Sequence, residues 1–217
     1  KKIKVIPNGV DLKRIKNIHI KKKKKKKNNL SFLALGRYHI KKNFEILLTV
    51  ANQLIKDGYK FNLVIVGNNM QILNSKVNQL RLGNIIKIYE PQNVNFNINE
   101  IPSKEIFSFY NESDCFLMPS KIESFGIVTV EAMMFGLPVI AASSPGNIDI
   151  LDNGKYGIIY DGSASDLVKK MKKVIDDKKK LSFYSLKSIK RSKEFDWSCI
   201  VDKYLELYSF LIRKKKK

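Results

Sequence analysis

Cysteine is scarce in this chain. Cys115 and Cys199 are the only two in 217 residues, and they form no C-x-x-C pair. That spacing excludes a disulfide framework and a cysteine-ligated zinc site. Cys115 lies in the apolar run CFLMP and is expected in the core. Histidine is as rare: His19 and His39 have no recognisable partner, and a non-catalytic role is expected for both. No D-x-D sequence occurs, so no metal held by that motif is expected. Long apolar runs are missing too. The longest is too short to span a bilayer, and no signal peptide opens the chain, so a cytoplasmic setting is expected. The chain starts on Lys1 rather than methionine, which is expected of a fragment. Acidic residues are few, 20 against 41 lysines and arginines, for a net charge of +21. Much of that excess sits in the runs Lys21–Lys27 and Arg213–Lys217, which are expected to be solvated and without fixed structure. Coding bias toward lysine, asparagine and isoleucine is the bland explanation. A nucleic-acid partner has charge alone in its favour; no basic and aromatic interleaving and no recognition helix supports one.

What is present is an ordinary hydrophobic content, 44%, on a chain long enough for one well-filled core. Short apolar stretches alternate with longer amphipathic ones. LSFLALG (30–36), FNLVIVG (61–67), NIIKIYE (84–90), DCFLMP (114–119), LPVIAA (137–142) and YGIIYD (156–161) read as strands. Between the first two, residues 43–58 place Phe44, Leu47, Leu48, Ala51, Leu54 and Ile55 on one helical stripe that Gly58 ends. Helices are also expected at 70–82, at 103–113 with a Ser103 N-cap, at 163–178, at 197–213 and across 181–193. The pattern implies an α/β fold: a Rossmann-like three-layer α/β/α sandwich on a parallel sheet of about six strands. Residues 1–29 read as a linker-like leading segment and basic connector, 30–195 as the domain proper, and 196–217 as a terminal helix and basic tail. In such sheets ligands bind beyond the carboxyl ends of the strands, where Gly36, Gly67, Pro119 and Ser143 fall.

One helix stands out. In PSKIESFGIVTVEAMMFGLP (119–138) apolar residues cover most of the circumference, which marks a buried helix. Ser124 is expected to cap it, Gly126 to sit in its first turn and Gly136 to end it. Glu131 then falls mid-helix, where an ionised carboxylate is costly unless paired or hydrogen-bonded. Glu123 precedes the helix. Taken alone, Glu131 could face solvent or pair with a core cation. Beside an open helix N-terminus at Gly126, which suits an anion, it can instead accept the hydroxyl protons of a ribose diol next to a diphosphate. Arg37 and Lys42, with Lys41 as rival, follow Gly36 in the loop after the first strand and offer cations for phosphate.

These segments resemble a known family. E-SFGIVTV-E with AMMFGLPVIA is similar to the E-x7-E segment of retaining glycosyltransferases of the GT-B fold, the fourth family in particular. VIPNGVD (5–11), FLALGRYHIKKN (32–43), FNLVIVGNN (61–69), LMPSKIESFG (117–126) and NIDILDNGKYGIIYD (147–161) follow in the family's order. The resemblance implies the C-terminal, donor-binding half of a GT-B enzyme. It implies transfer of a sugar from a UDP-, GDP- or ADP-sugar to an acceptor sugar or lipid-linked saccharide with retention, without a metal or other cofactor. Arg37 and Lys42 would grip the diphosphate, Glu131 the ribose, and Glu123 with the backbone at Phe125 and Gly126 the donor sugar; Gly36, Ile127 and Val128 would line the site. An N-terminal domain or partner subunit would complete it. Departures fall at Asn68-Asn69, at Glu90-Pro91 near the base and at Pro145–Asp149. A non-catalytic nucleotide- or sugar-binding module is the alternative. The stretch LYSFLIRKKKK (207–217) sets apolar residues before a polybasic end. A packed helix with a frayed tail is expected there, with peripheral contact at the anionic inner membrane face as the rival reading.

Overall fold

A computed structural model describes residues 3–17, 29–91 and 103–215. The run Lys21–Lys27, His19 and most of the basic connector lie outside the described residues.

The strands are β1 (Leu30–Leu35), β2 (Phe61–Val66), β3 (Ile86–Tyr89), β4 (Cys115–Met118), β5 (Val139–Ala142) and β6 (Ile158–Tyr160). They form one six-stranded sheet in the order β3-β2-β1-β4-β5-β6. Every pairing is parallel; Leu30 to Leu35 run level with Phe61 to Val66, and Phe32 and Leu33 pair with Cys115 and Phe116. The order reverses between β1 and β4. The crossovers on either side of that point leave in opposite directions and open a crevice at the strands' carboxyl ends.

The helices are α1 (Leu12–Asn17), α2 (Glu45–Lys56), α3 (Gln71–Gln79), α4 (Lys104–Glu112), α5 (Ile127–Met134), α6 (Pro145–Leu151), α7 (Ala164–Asp176), α8 (Lys178–Ser192) and α9 (Trp197–Lys215). The central strands are buried on both faces, so neighbouring residues serve opposite layers. Phe32, Ala34, Cys115, Leu117, Ile140 and Ala142 face the layer of α2, α3 and α7. Leu33, Phe116, Met118, Val139 and Ala141 face the layer of α4, α5 and α6. Burying each such Leu or Phe contributes roughly 1.5–3 kcal/mol.

Three expectations need correction. Ile55 is 37% exposed, because the buried face of α2 runs through Leu47, Leu48, Val50, Ala51 and Leu54 and leaves Ile55 at its edge. Residues 12–17 form a helix inside the stretch read as a linker-like segment and basic connector; Asp11 accepts the Arg14 N–H at 3.0 Å and starts it. The leading segment is also anchored in the domain. Val10 is buried, its N–H donates to Phe195 C=O at 2.8 Å, and its carbonyl accepts from Trp197 N–H at 3.0 Å. Trp197 lies so close over Gly9 that a Cβ there would fall 2.4 Å from the indole.

Candidate functional site

At the crevice two loops run side by side. The first follows β1. Gly36 N–H donates to Val66 C=O at 2.9 Å, and a 3-10 turn (Ile40–Lys42) then leads into α2. His39 serves that turn locally, its Nδ1 accepting the Lys41 N–H at 3.1 Å. The second loop, Pro119–Gly126, follows β4. Lys121 N–H donates to Lys41 C=O at 2.9 Å, and Lys42 Nζ meets Glu123 Oε2 at 2.6 Å. Lys42 and Glu123, 81 positions apart, therefore meet across the reversal of strand order. Lys41 points outward, which separates it from Lys42. Arg37 is exposed beside them, and its guanidinium makes no hydrogen bond or ion pair among the described residues.

The β4 loop ends on α5 in a way the sequence does not reveal. Ser124 is exposed and caps nothing; Gly126 itself is the N-cap, at φ +91°, a left-handed turn that favours glycine. No side chain caps the helix, and among the described residues the N–H groups of Ile127 and Val128 have no acceptor. Those two donors and the helix dipole leave a partial positive charge beside Glu123 and Lys42. Phe125 is half-buried against the Phe195 ring at 5.7 Å. Ile127 is exposed and Val128 half-buried. Gly146 of α6 braces the loop: its N–H donates to Glu123 C=O at 2.9 Å, and a Cβ there would stand 2.7 Å from Phe125 N.

Glu131 lies one turn into α5 and is 8% exposed. Burial raises its carboxyl above the usual range; a hydrogen bond from Tyr110 and the charge of Arg14 work against that rise. Tyr110 Oη, fully buried on α4, donates to Glu131 Oε2 at 2.8 Å and approaches Val128 C=O at 3.4 Å. The burial of Tyr110 and its carboxylate partner push the phenol well above its ordinary value, so it stays a donor. Oε2 is engaged, and among the described residues no hydrogen bond reaches Oε1, which can accept. A buried phenol needs a hydrogen-bond partner, but the spacing of Tyr110 from Glu131 in the sequence hides the pair.

Beneath Gly126, Thr129 Oγ1 and Asn147 Oδ1 are buried and have no hydrogen-bond partner among the described residues, 3.3 and 3.6 Å from where a Cβ of residue 126 would be. A cavity of about 400 Å³ opens on the other flank of the loop, between Val5–Asn8, Ser124, Phe125, Asp149 and Arg191. At the far end of the crevice Glu90 caps the approach to α3, Oε1 accepting the Met70 N–H at 2.9 Å. Among the described residues no group of three or more His, Cys, Asp or Glu is placed to hold a metal. No helix among them is long and apolar enough to cross a membrane.

The chain is similar to known proteins over most of its length. The chain is 29% identical over 217 residues to a 41.2 kDa protein of the cps region of Klebsiella pneumoniae, covering 95% of this chain and 55% of that protein. It is 30% identical over 191 residues to a probable sucrose-phosphate synthase of Thermosipho melanesiensis, covering 83% and 41%. It therefore spans about half the length of these relatives. Among solved structures, Anabaena HepE in complex with UDP and glucose superposes with a TM-score of 0.73 at 23% identity, over 95% of this chain and 56% of that one. The sucrose-phosphate synthase of Thermosynechococcus elongatus gives 0.75 at 20%, over 97% and 53%. The shared fold is the three-layer α/β/α of GT-B glycosyltransferases. The family of glycosyl transferases group 1 matches residues 15–191, and the chain belongs to it.

Proposed function

We propose that this domain binds the nucleotide-sugar donor of a retaining glycosyltransferase of the E-x7-E type, as the C-terminal half of a GT-B enzyme. The observation that carries the reading is one juxtaposition: a buried carboxylate, Glu131, stands a turn behind an uncapped helix N-terminus, and the Lys42–Glu123 pair closes the crevice beside it. The complex of HepE with UDP and glucose supports the class of ligand.

In this reading the donor's diphosphate lies against the Ile127 and Val128 N–H groups, with Arg37 and Lys42 as cations and Gly36 allowing close approach. Ribose hydroxyls donate to Glu131. Glu123 and the backbone at Phe125 and Gly126 meet the hexose. The bond from the anomeric carbon to the diphosphate breaks, its electron pair leaves with the nucleoside diphosphate, and an acceptor hydroxyl forms the new bond on the same face, its proton passing to the departing diphosphate oxygen. Charge grows on the leaving diphosphate in the transition state. Preorganised cations and helix N–H groups stabilise that charge without reorganising, and this term is commonly the largest in catalysis. We assign the acceptor, a sugar or lipid-linked saccharide, to the side of the cavity that adjoins Phe125.

A companion N-terminal half is needed for full activity in this proposal. The chain spans about half the length of its relatives. In addition, α9 carries Trp197, Val201, Tyr204, Leu205, Tyr208, Leu211 and Ile212 exposed along one stripe. Titration calorimetry with UDP, GDP and ADP tests the donor role. One of the three binds with a millimolar or tighter constant, and Arg37→Ala weakens it roughly tenfold or more, as loss of a charge-assisted contact requires. Absence of heat from all three at millimolar concentration refutes the reading.

A further inference from the structure

The helix α1, outside the sheet, lends a charge to the site. The Arg14 guanidinium carbon lies 5.7 Å from the centre of the Phe107 ring on α4. Phe107 packs against Phe135 at 5.4 Å, and Phe135 stacks on Tyr110 at 5.2 Å. Tyr110 holds Glu131 at 2.8 Å. Arg14, Phe107, Tyr110, Phe135 and Glu131 thus form one cluster across α1, α4 and α5. A cation over an aromatic face is held there by the ring's quadrupole.

Among the described residues, Glu131 is acted on by Tyr110 from α4 and by Arg14 from α1; α6 and α8 also pack on α5. Tyr110 is a neutral donor, so Arg14 supplies the positive charge. The chemistry then turns on protonation. An ionised carboxylate only accepts hydrogen bonds and suits a diol that donates. A protonated one places its own hydrogen against that diol.

We propose that Arg14 is a positioning residue for Glu131: its guanidinium, seated over the Phe107 ring, keeps the carboxylate an acceptor for ligand hydroxyls. This rests on the reading of Glu131 as the residue that takes those hydroxyls. It makes the ligand site depend on a segment held to the domain by the Val10 hydrogen bonds to Phe195 and Trp197. Displacing α1 removes the charge while every residue of the crevice stays in place.

The test separates the two readings. Carboxyl-¹³C glutamate labelling, with the signal assigned by Glu131→Gln, follows the titration of Glu131 in the ligand-free chain. In Arg14→Met that titration moves to higher pH than in wild type, and in Arg14→Lys most of the change is undone. Calorimetry with UDP, GDP and ADP then shows Arg14→Met weakening the bound nucleotide roughly tenfold at pH 7, with the loss shrinking as pH rises and the carboxyl ionises. A merely structural role for Arg14 would weaken binding equally at all pH values and leave Arg14→Lys as poor as Arg14→Met. An unmoved Glu131 titration in Arg14→Met overturns the proposal, whatever the nucleotide does. A titration that moves while wild type binds none of the three nucleotides overturns the donor reading and leaves the coupling of Arg14 to Glu131 standing.

Discussion

Gly67→Ala puts a methyl group where the backbone of the neighbouring strand already stands. A Cβ at residue 67 would lie 1.8 Å from the Gly36 carbonyl oxygen and 2.7 Å from both the Gly36 carbonyl carbon and the Met70 side chain. Real Cβ contacts essentially never fall below 3.0 Å, so the ends of β1 and β2 must part by more than an ångström. They cannot slide instead, because six consecutive residues pair between these strands. Parting them breaks two bonds that flank the contact, Gly36 N–H to Val66 C=O and Tyr38 N–H to Asn68 C=O, both 2.9 Å. Two lost hydrogen bonds at about 1 kcal/mol each, with about 1–3 kcal/mol of overpacking strain, give roughly 3–5 kcal/mol. For a domain of this size that lowers the melting temperature by about 6–20 °C. Thermal unfolding followed by circular dichroism reads the loss. Nucleotide affinity in the folded variant falls as well, since Gly36 carries Arg37. A variant that melts within about 3 °C of wild type would show that this close approach stores no strain.

Glu131→Gln is expected to stabilise the ligand-free domain at neutral pH while weakening nucleotide binding. Burial raises the carboxyl in the folded state, so wild-type stability is full below the unfolded value and falls as pH rises through the folded one. The advantage of the glutamine should therefore be absent in acid and grow with pH in urea melts; equal stabilities from pH 4 to 8 would contradict it. Lys42→Met strands the half-buried Glu123, at a cost of about 1–3 kcal/mol, and adding Glu123→Gln recovers stability but not nucleotide affinity. Recovery of both in calorimetry would mean that Lys42 serves only its partner. Cys199 is exposed, whereas Cys115 is buried with its thiol pushed up by burial. One equivalent of a thiol reagent should react in the native chain and the second only on unfolding; two rapid equivalents would place Cys115 wrongly. Asp177 caps α8 by accepting the Lys179 N–H at 3.0 Å and the Lys180 N–H at 3.4 Å, so Asp177→Ala should cost about 1 kcal/mol in the same melts.

The strands were legible because each is a short apolar run with a glycine, proline or asparagine nearby, and burial on both faces leaves little else for such a run to do. The stripe of α2 was legible down to single residues except at its margin, whereas α6 was not expected at all. Ile55 fits the 3.6 period as well as Leu54 does, and only the width of the groove it meets decides its exposure. The start of α5 was blurred for another reason. Ser124 and Gly126 are both good N-caps, and in the structure the turn falls at Gly126, beside the bond from Gly146 N–H to Glu123 C=O. The loop order around Arg37, Lys42 and Glu123 could be read from the sequence, but the 2.6 Å contact between Lys42 and Glu123 could not, because strand order decides which loops are neighbours. Tyr110 and Arg14 were missed as companions of Glu131 for the same reason. Each comes from a different helix, and the polar sequence LKRIKN gives little hint that α1 forms at all.

Val10 sits between Phe195 and Trp197, so the chain comes into the fold and goes out of it through one doorway. A domain with a single doorway can be grafted into, or lifted out of, a longer polypeptide by surgery at one place on its surface. The bridge there is parallel, so tension between the incoming and the outgoing segment loads its two hydrogen bonds together, in shear.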